Sequence, residues 1–261
     1  MNKTIYTFWE PKEKMPSYMQ YCIATWKKYL SEYNIIVLDY SNIDEYLGKN
    51  FFDKCLYKKF TLATQADAIR CAILYKYGGI WLDCDTIITS NKINKILDIK
   101  SDLILFGRHI GFIVANKISK IITKWLKEIK HRLFIYKHFR FFFRLADKDY
   151  NKKCRNWDFL GNGCLDKYLE NSHCSDFYEI DRIQAYALPE FNFYGQEADD
   201  LCKIYRDFYF ENNYVDYALD NSCGVILLHN SRTPEIYQTL DKDKFISQDN
   251  TLANIFKRIL E

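Results

Sequence analysis

The stretch YKYGGIWLDCDTII, residues 75–88, constrains the fold of this chain more than any other. Just upstream, TLATQADAIRCAILYKY (61–77) sets Ala66, Ile69, Ile73 and Tyr77 at helical spacing. Gly78 and Gly79 stand where such a helix ends, because glycine takes the left-handed cap conformation at little cost. IWLDCD then reads as a strand. Alternate residues of a strand share a face, so Trp81, Asp83 and Asp85 are expected on one side. Ile80, Leu82 and Cys84 are expected on the other. An apolar run ending in acids suggests a buried strand whose last residues emerge from the sheet. In α/β sheets, ligands bind outside those carboxyl ends.

Two carboxylates facing the same way at a buried rim are unfavourable unless something positive sits between them. A divalent cation meets that need. Oxygen ligands suit Mg2+ or Mn2+, and an added imidazole tilts the choice towards Mn2+. Such an ion keeps positions open for phosphate oxygens, which makes the physical reading a metal–diphosphate site. By spacing alone, Asp-x-Asp describes equally well a pair of solvated acids at a strand–turn junction.

The rest of the chain supports an α/β class. TIYTFWE (4–10) reads as a strand. Met19, Cys22, Ile23, Trp26 and Leu30 then mark a helix, with Pro16 suited to its first turn. YNIIVLDY (33–40) is a short apolar run of strand type, so the chain opens strand–helix–strand, the start of a parallel unit. DLILFG (102–107) and GFIVAN (111–116) are two further strands. An amphipathic helix is expected over 117–133, with Ile118, Ile121, Ile122, Trp125 and Ile129 in its stripe. GVILLHN (224–230) reads as a late strand and QDNTLANIFKRIL (248–260) as a closing helix.

Composition sets the outer limits. With 48% apolar residues, 21 Tyr and 19 Phe in 261 positions, the chain can bury a sizeable core. No apolar run reaches the roughly 18–20 residues of a membrane span. MNKTIYTFWEPKEKMP lacks a signal-peptide core, so the expected compartment is the cytoplasm. The nine cysteines are odd in number, scattered and without a Cys-x-x-Cys pair, and read as free, mostly buried thiols. A net charge of +3 hides an asymmetry: residues 117–155 hold thirteen Lys/Arg against three Asp/Glu, or +10, leaving −7 elsewhere. That basic, aromatic-rich segment suits either an anionic membrane surface, such as the inner face of the plasma membrane, or a solvated helix face. No motif in it supports nucleic acid.

The run ATQADAIRCAILYKYGGIWLDCD resembles the signature of DXD glycosyltransferases of the capsular-polysaccharide and initiating-mannosyltransferase type, a group related to the sugar-transferring domains of large clostridial toxins. Asp67, Arg70, Leu74, Tyr75, Gly78, Gly79, Asp83 and Asp85 all match it. IYTFWE is similar to the group's opening strand, and GFIVANKISKII to a later strand-to-helix segment. LPEFNFYG resembles its L-P-x-x-x-F-Y stretch, with Gly195 where a proline is usual.

The resemblance implies a GT-A, Rossmann-like fold with a mixed central sheet flanked by helices. It implies one catalytic domain over 1–261. Within it, 1–116 would be the nucleotide-sugar-binding core, 117–187 a basic helical insertion or acceptor region, and 188–261 the part completing the metal site. It implies a retaining, metal-dependent hexosyltransferase that uses a UDP-sugar, galactose or glucose favoured. The acceptor would be a glycan, with a lipid-linked oligosaccharide of capsule or surface polysaccharide synthesis as the leading choice. Residue by residue, Trp9 would stack near the nucleobase. Arg70 would position the donor sugar or phosphate and Asp67 a sugar hydroxyl, although the two, three apart on one helical face, also suit a plain ion pair. Asp83 would contact the ribose or sugar and the metal, and Asp85 would be the firmest metal ligand. His229, at the end of GVILLHN, would be a third ligand, although HNSRTP lacks the tryptophan that often follows in the group. WDFLGNGC (157–164) is a glycine-containing turn that could approach the donor sugar or serve as a simple loop.

Other classes fit less well. Haloacid-dehalogenase-type phosphatases carry Asp-x-Asp-x-Thr, whereas here the threonine follows Asp85 at once. A glycosidase pair normally comes from separate strands, which leaves the upstream helix unexplained. A non-catalytic sugar-binding protein is the non-enzyme alternative.

Overall fold

The computed structural model describes residues 2–53, 59–154, 156, 158–170, 176–188 and 198–261. Its described strands are β1 (Thr4–Phe8), β2 (Asn34–Leu38), β3 (Gly79–Leu82), β4 (Thr86–Ile88), β5 (Leu103–Phe106), β6 (His109–Ala115), β7 (Tyr178–Ile180) and β8 (Val225–Leu227). The helices that carry the argument are α1 (Ser17–Tyr29), α2 (Leu62–Tyr77), α3 (Lys120–Ala146), α4 (Asn162–Glu170) and α5 (Thr251–Leu260). The α/β class with a mixed central sheet is what forms: six strands in the order β2-β1-β3-β6-β5-β7, with β1 parallel to β3 and β5 antiparallel to β6. β4 and β8 make a separate antiparallel pair.

The chain divides into two compact units. The first comprises Met1–Lys12, Ile36–Trp81 and Lys100–Glu179; the second comprises Glu13–Ile35, Leu82–Ile99 and Ile180–Glu261.

In the first unit α2 packs on β1 and on α3, and α3 packs on α4. Burial explains why α2 needs so little polarity: every residue from Asp67 to Leu74 is buried. Its end is the expected glycine cap. Gly78 adopts φ 64° and its N–H returns to the Leu74 carbonyl at 2.8 Å. Both glycines are also required by space. A Cβ on Gly78 would stand 3.0 Å from the Ala115 carbonyl oxygen, and one on Gly79 (φ 103°) 2.7 Å from that of Thr4. These contacts let the chain leave α2 and enter β3 beside β1 without a longer loop.

α3 runs to Ala146, well past the expected end at 133. Residues 134–146 contain no Gly or Pro to stop it, so the helix continues after its buried stripe has ended at Tyr136.

In the second unit α1 packs on β4 and on α5. Trp26 of α1 is fully buried, and its indole N–H donates to the Thr86 carbonyl at 2.7 Å. The Ile88 N–H donates to the Thr25 hydroxyl at 3.0 Å. These bonds satisfy one edge of β4, while the other edge pairs with β8 in the register Thr86↔Leu227. Of the described cysteines, Cys22, Cys71, Cys84, Cys154 and Cys164 are buried free thiols, as expected; Cys202 and Cys223 are also free and partly exposed.

Candidate functional site

The single strand expected to carry both acids does not form. β3 stops at Leu82, and Asp83-Cys84-Asp85 make a turn, closed by the Thr86 N–H donating to the Asp83 carbonyl at 2.9 Å. β4 then begins in a different sheet. The cause is pairing at long range: Thr86 is claimed by Leu227, so the chain turns away from the β3 direction. The alternation that put Trp81, Asp83 and Asp85 on one face therefore ends at Leu82. Cys84 is buried within the turn.

Asp85 is fixed from both its backbone and its side chain. Its carbonyl accepts the Leu228 N–H at 3.1 Å, which extends the β4–β8 ladder by one rung. Its Oδ2 accepts the Asn230 N–H at 2.8 Å. A hydrogen bond to a charged group of this kind contributes about 1.5–3 kcal/mol. Asn230 is held in turn by the Tyr18 hydroxyl, which donates to its Oδ1 at 2.6 Å. Burial, with the Asp85 carboxylate next in weight, pushes the Tyr18 phenol well above its ordinary range.

His229 lies just beyond β8 in an aromatic setting. The Tyr186 ring stacks on it at 5.2 Å and the Tyr205 ring meets it edge-on at 5.9 Å. The Tyr205 hydroxyl accepts the His229 backbone N–H at 3.1 Å. Burial, reinforced by the charges of Arg232 and Arg182, pushes the imidazole pKa down to about 3. The ring is thus neutral, the form that binds metals.

Two carboxylates and a neutral imidazole are the donor types a divalent cation takes. Their placement is less favourable. Among the described residues no group of three His, Cys, Asp or Glu side chains is gathered closely enough to hold an ion. The two acids of the turn are one residue apart, and His229 is engaged by Tyr186 and Tyr205.

In the first unit Asp67 and Arg70 form the ion pair that their spacing allows. Arg70 Nη2 stands 3.5 Å from Asp67 Oδ1, with side chains only 5% and 7% exposed. Arg70 also donates through Nη1 to the Ile110 carbonyl, and its guanidinium lies over the Trp81 ring, 5.3 Å from the centroid. Its charge is therefore balanced, and its plane fixed, by groups of the same unit.

The turn at 158–161, which leads into α4, closes on this pair. A Cβ on Gly161 would stand 2.9 Å from Asp67 Cγ and 2.9 Å from Ile110 Cδ1, so any larger residue forces one of these side chains to shift. Two side chains of α3 hold the turn in place. Trp125 donates its indole N–H to the Leu160 carbonyl at 2.8 Å. Arg132 donates to the carbonyls of Phe159 and Gly163, each at 2.7 Å. Glu128 balances Arg132 at 3.0 Å and also meets Lys167 of α4 at 2.8 Å. The residues that sequence reasoning missed are these supports, Trp125, Glu128 and Arg132. Helical spacing places Trp125 only in a buried stripe, and the paired glycines of LGNG are the one signal that a close approach occurs there.

Trp9 follows β1 directly and is half-buried, with its N–H donating to the Leu38 carbonyl at 3.0 Å. Of LPEFNFYG, only Leu188 is among the described residues; 189–195 lie outside them, as does Trp157.

Comparison with known proteins gives these arrangements a context. An O-glycosyltransferase, braB, of Annulohypoxylon truncatum is 26% identical over 156 residues, covering 49% of this chain and 37% of that protein. The chain thus spans little more than a third of the curated relative it matches. Among solved structures, the PaToxG glycosyltransferase overlaps 66% of this chain and 69% of its own at 16% identity and a TM-score of 0.41. A glycosyltransferase involved in the glycosylation of the major capsid of PBCV-1 overlaps 90% and 96% at 11% identity and a TM-score of 0.41. The family described as capsular polysaccharide synthesis protein matches residues 1–211. With that match extending over most of its 261 residues, the chain belongs to the capsular polysaccharide synthesis protein family.

Proposed function

We propose that this protein is a retaining, metal-dependent glycosyltransferase of the GT-A type. It moves a hexose, galactose or glucose, from a UDP-sugar to a glycan acceptor of bacterial capsule or surface polysaccharide. The observation that carries this reading is the continuous run from Asp67 to Asp85 in a chain of the capsular polysaccharide synthesis family: a buried acid–arginine helix, a glycine cap, a buried strand and an acid turn. The acceptor is a lipid-linked oligosaccharide, and the protein works in the cytoplasm, peripherally on the inner face of the membrane.

Each residue has one role in this reading. Trp9 stacks near the nucleobase. Asp67 accepts a hydrogen bond from a donor-sugar hydroxyl, and Arg70 sets the orientation of Asp67 and adds positive charge towards the donor. Asp83 meets the ribose or sugar. Asp83, Asp85 and His229 are the residues that would hold Mn2+ or Mg2+. When bound, the ion supplies positive charge that stabilises the departing nucleoside diphosphate.

The test uses the purified chain, UDP-galactose or UDP-glucose, and Mn2+, with free UDP as the readout. Slow donor hydrolysis that disappears in EDTA and in Asp85→Asn is the expected result. Full hydrolysis in EDTA overturns the metal role. Nucleotide binding with no turnover on any donor favours a sugar-binding protein, and no thermal shift with any nucleotide plus metal removes the donor reading altogether.

A further inference from the structure

The second half of α3 presents an apolar stripe on the side of the helix away from the core. Ile122, Trp125, Ile129, Leu133 and Tyr136 form the buried face. Continued at the same spacing, that face leads to Arg140 and Arg144. Phe134, Phe141, Phe142 and Leu145, at i, i+7, i+8 and i+11, fall together on the opposite side. They are 54%, 66%, 65% and 70% exposed. Phe139 and Phe143, each 44% exposed, lie towards the other side, but the four most exposed apolar side chains of the segment gather on one face, which marks an interaction surface rather than ordinary scatter.

The segment is held where it stands. Lys137 reaches Asp53 at 2.7 Å, the Arg140 guanidinium lies over Tyr136, and Phe143 stacks on Tyr150 at 5.1 Å. The ten residues from 137 to 146 extend about 15 Å beyond the last buried side chain.

We infer that this face of α3 docks onto an anionic lipid bilayer. Phe134, Phe141, Phe142 and Leu145 enter the headgroup–acyl boundary, and Lys137 and Arg144, about a quarter turn round the helix from that stripe, meet lipid phosphates from its flank. This inference rests on the peripheral-membrane reading above. It narrows the basic segment 117–155 to one helix face and makes apolar insertion, rather than charge alone, the anchor. Charge selects the occupant. From 129 to 146 there are five Lys/Arg and no Asp/Glu. A second copy of the chain would bring like charges together, whereas an anionic surface is complementary to them. Phenylalanine and leucine have no polar tip for a hydrated partner, and a basic helix with such a face lies in the plane of a membrane interface.

The test is co-sedimentation of the full chain with phosphatidylcholine vesicles, with and without phosphatidylglycerol. Two variants are compared, F141S/F142S/L145S and K137Q/R144Q. Donor hydrolysis is read without vesicles on the same preparations, so that loss of docking and loss of transferase activity remain separate results. The wild type is expected to sediment with the anionic vesicles. The apolar variant is expected to partition about tenfold less or weaker, with unchanged thermal midpoint and donor hydrolysis. The K137Q/R144Q variant is expected to lose its preference for phosphatidylglycerol. Failure of the wild type to sediment overturns the proposal, as does equal sedimentation of the apolar variant. A concentration-dependent dimer that the apolar variant abolishes also overturns it, in favour of a second copy.

Discussion

Gly161 lies against the carboxylate of Asp67, with so little room that a Cβ would come within 2.9 Å of Asp67 Cγ. The glycine cannot retreat, because Trp125 and Arg132 hold the carbonyls on either side of it. The acid is held less tightly, by an ion pair to Arg70 at 3.5 Å against bonds of 2.7–2.8 Å on the turn.

Gly161→Ala should therefore displace Asp67 rather than the turn. An overpacked site of this kind costs about 1–3 kcal/mol of stability. The larger effect is expected on turnover, with donor hydrolysis falling more than about tenfold. Kinetics on the folded variant, with circular dichroism as the control, check this. Unchanged turnover would mean that the close approach is packing alone.

Arg70→Ala tests how much the fold depends on the same pair. The substitution removes the guanidinium 3.5 Å from the buried Asp67 carboxylate, and breaking a buried ion pair costs about 3–5 kcal/mol. Urea unfolding of the two proteins measures it. A loss under about 1 kcal/mol would mean that solvent reaches the carboxylate far more freely than its 7% exposure allows.

The support beneath Gly161 carries its own pH signature. Burial by itself would raise the Glu128 pKa, but hydrogen bonds from Lys167 and Arg132 outweigh it and hold the carboxyl below its ordinary value. A depressed carboxylate contributes stability that is present above its unfolded pKa of about 4.3 and is lost as pH falls through the folded value. Glu128→Gln should thus be clearly less stable than wild type at pH 7, with the gap closing as pH drops below about 4. Thermal melts across pH 3–7 give the comparison, and a gap that stays constant with pH contradicts it.

His229→Phe separates the aromatic role of this residue from metal binding. A phenyl ring can keep the contacts to Tyr186 and Tyr205, so the thermal midpoint is expected to move by only a few degrees. If the imidazole holds the ion, the Mn2+ concentration for half-maximal donor hydrolysis rises about tenfold or more. An unaltered Mn2+ response assigns His229 to packing alone and leaves the ion to the acids of the turn.

Much of the molecule could be read along the chain. The α2 helix, its glycine cap, β3, and the nearness of two acids to the strand end follow from local rules. Periodicity, cap chemistry and the positive φ of Gly78 are settled by neighbours within a few residues. The Asp67–Arg70 pair is of the same kind, one turn of helix apart.

Tertiary structure decided what depends on distant partners. Asp85 finds the Asn230 N–H across 145 positions, and the β4–β8 pairing beside that bond turns Asp83-Cys84-Asp85 out of the expected strand. The same holds for Gly161 against Asp67 and for the clamp from Arg132. The expected helix ended at 133, so Phe134, Phe141, Phe142 and Leu145 were placed on one side of α3, away from the core, by the tertiary structure alone. A hydrophobic period states which residues stand together, and the energy of burial against a partner decides which way they face.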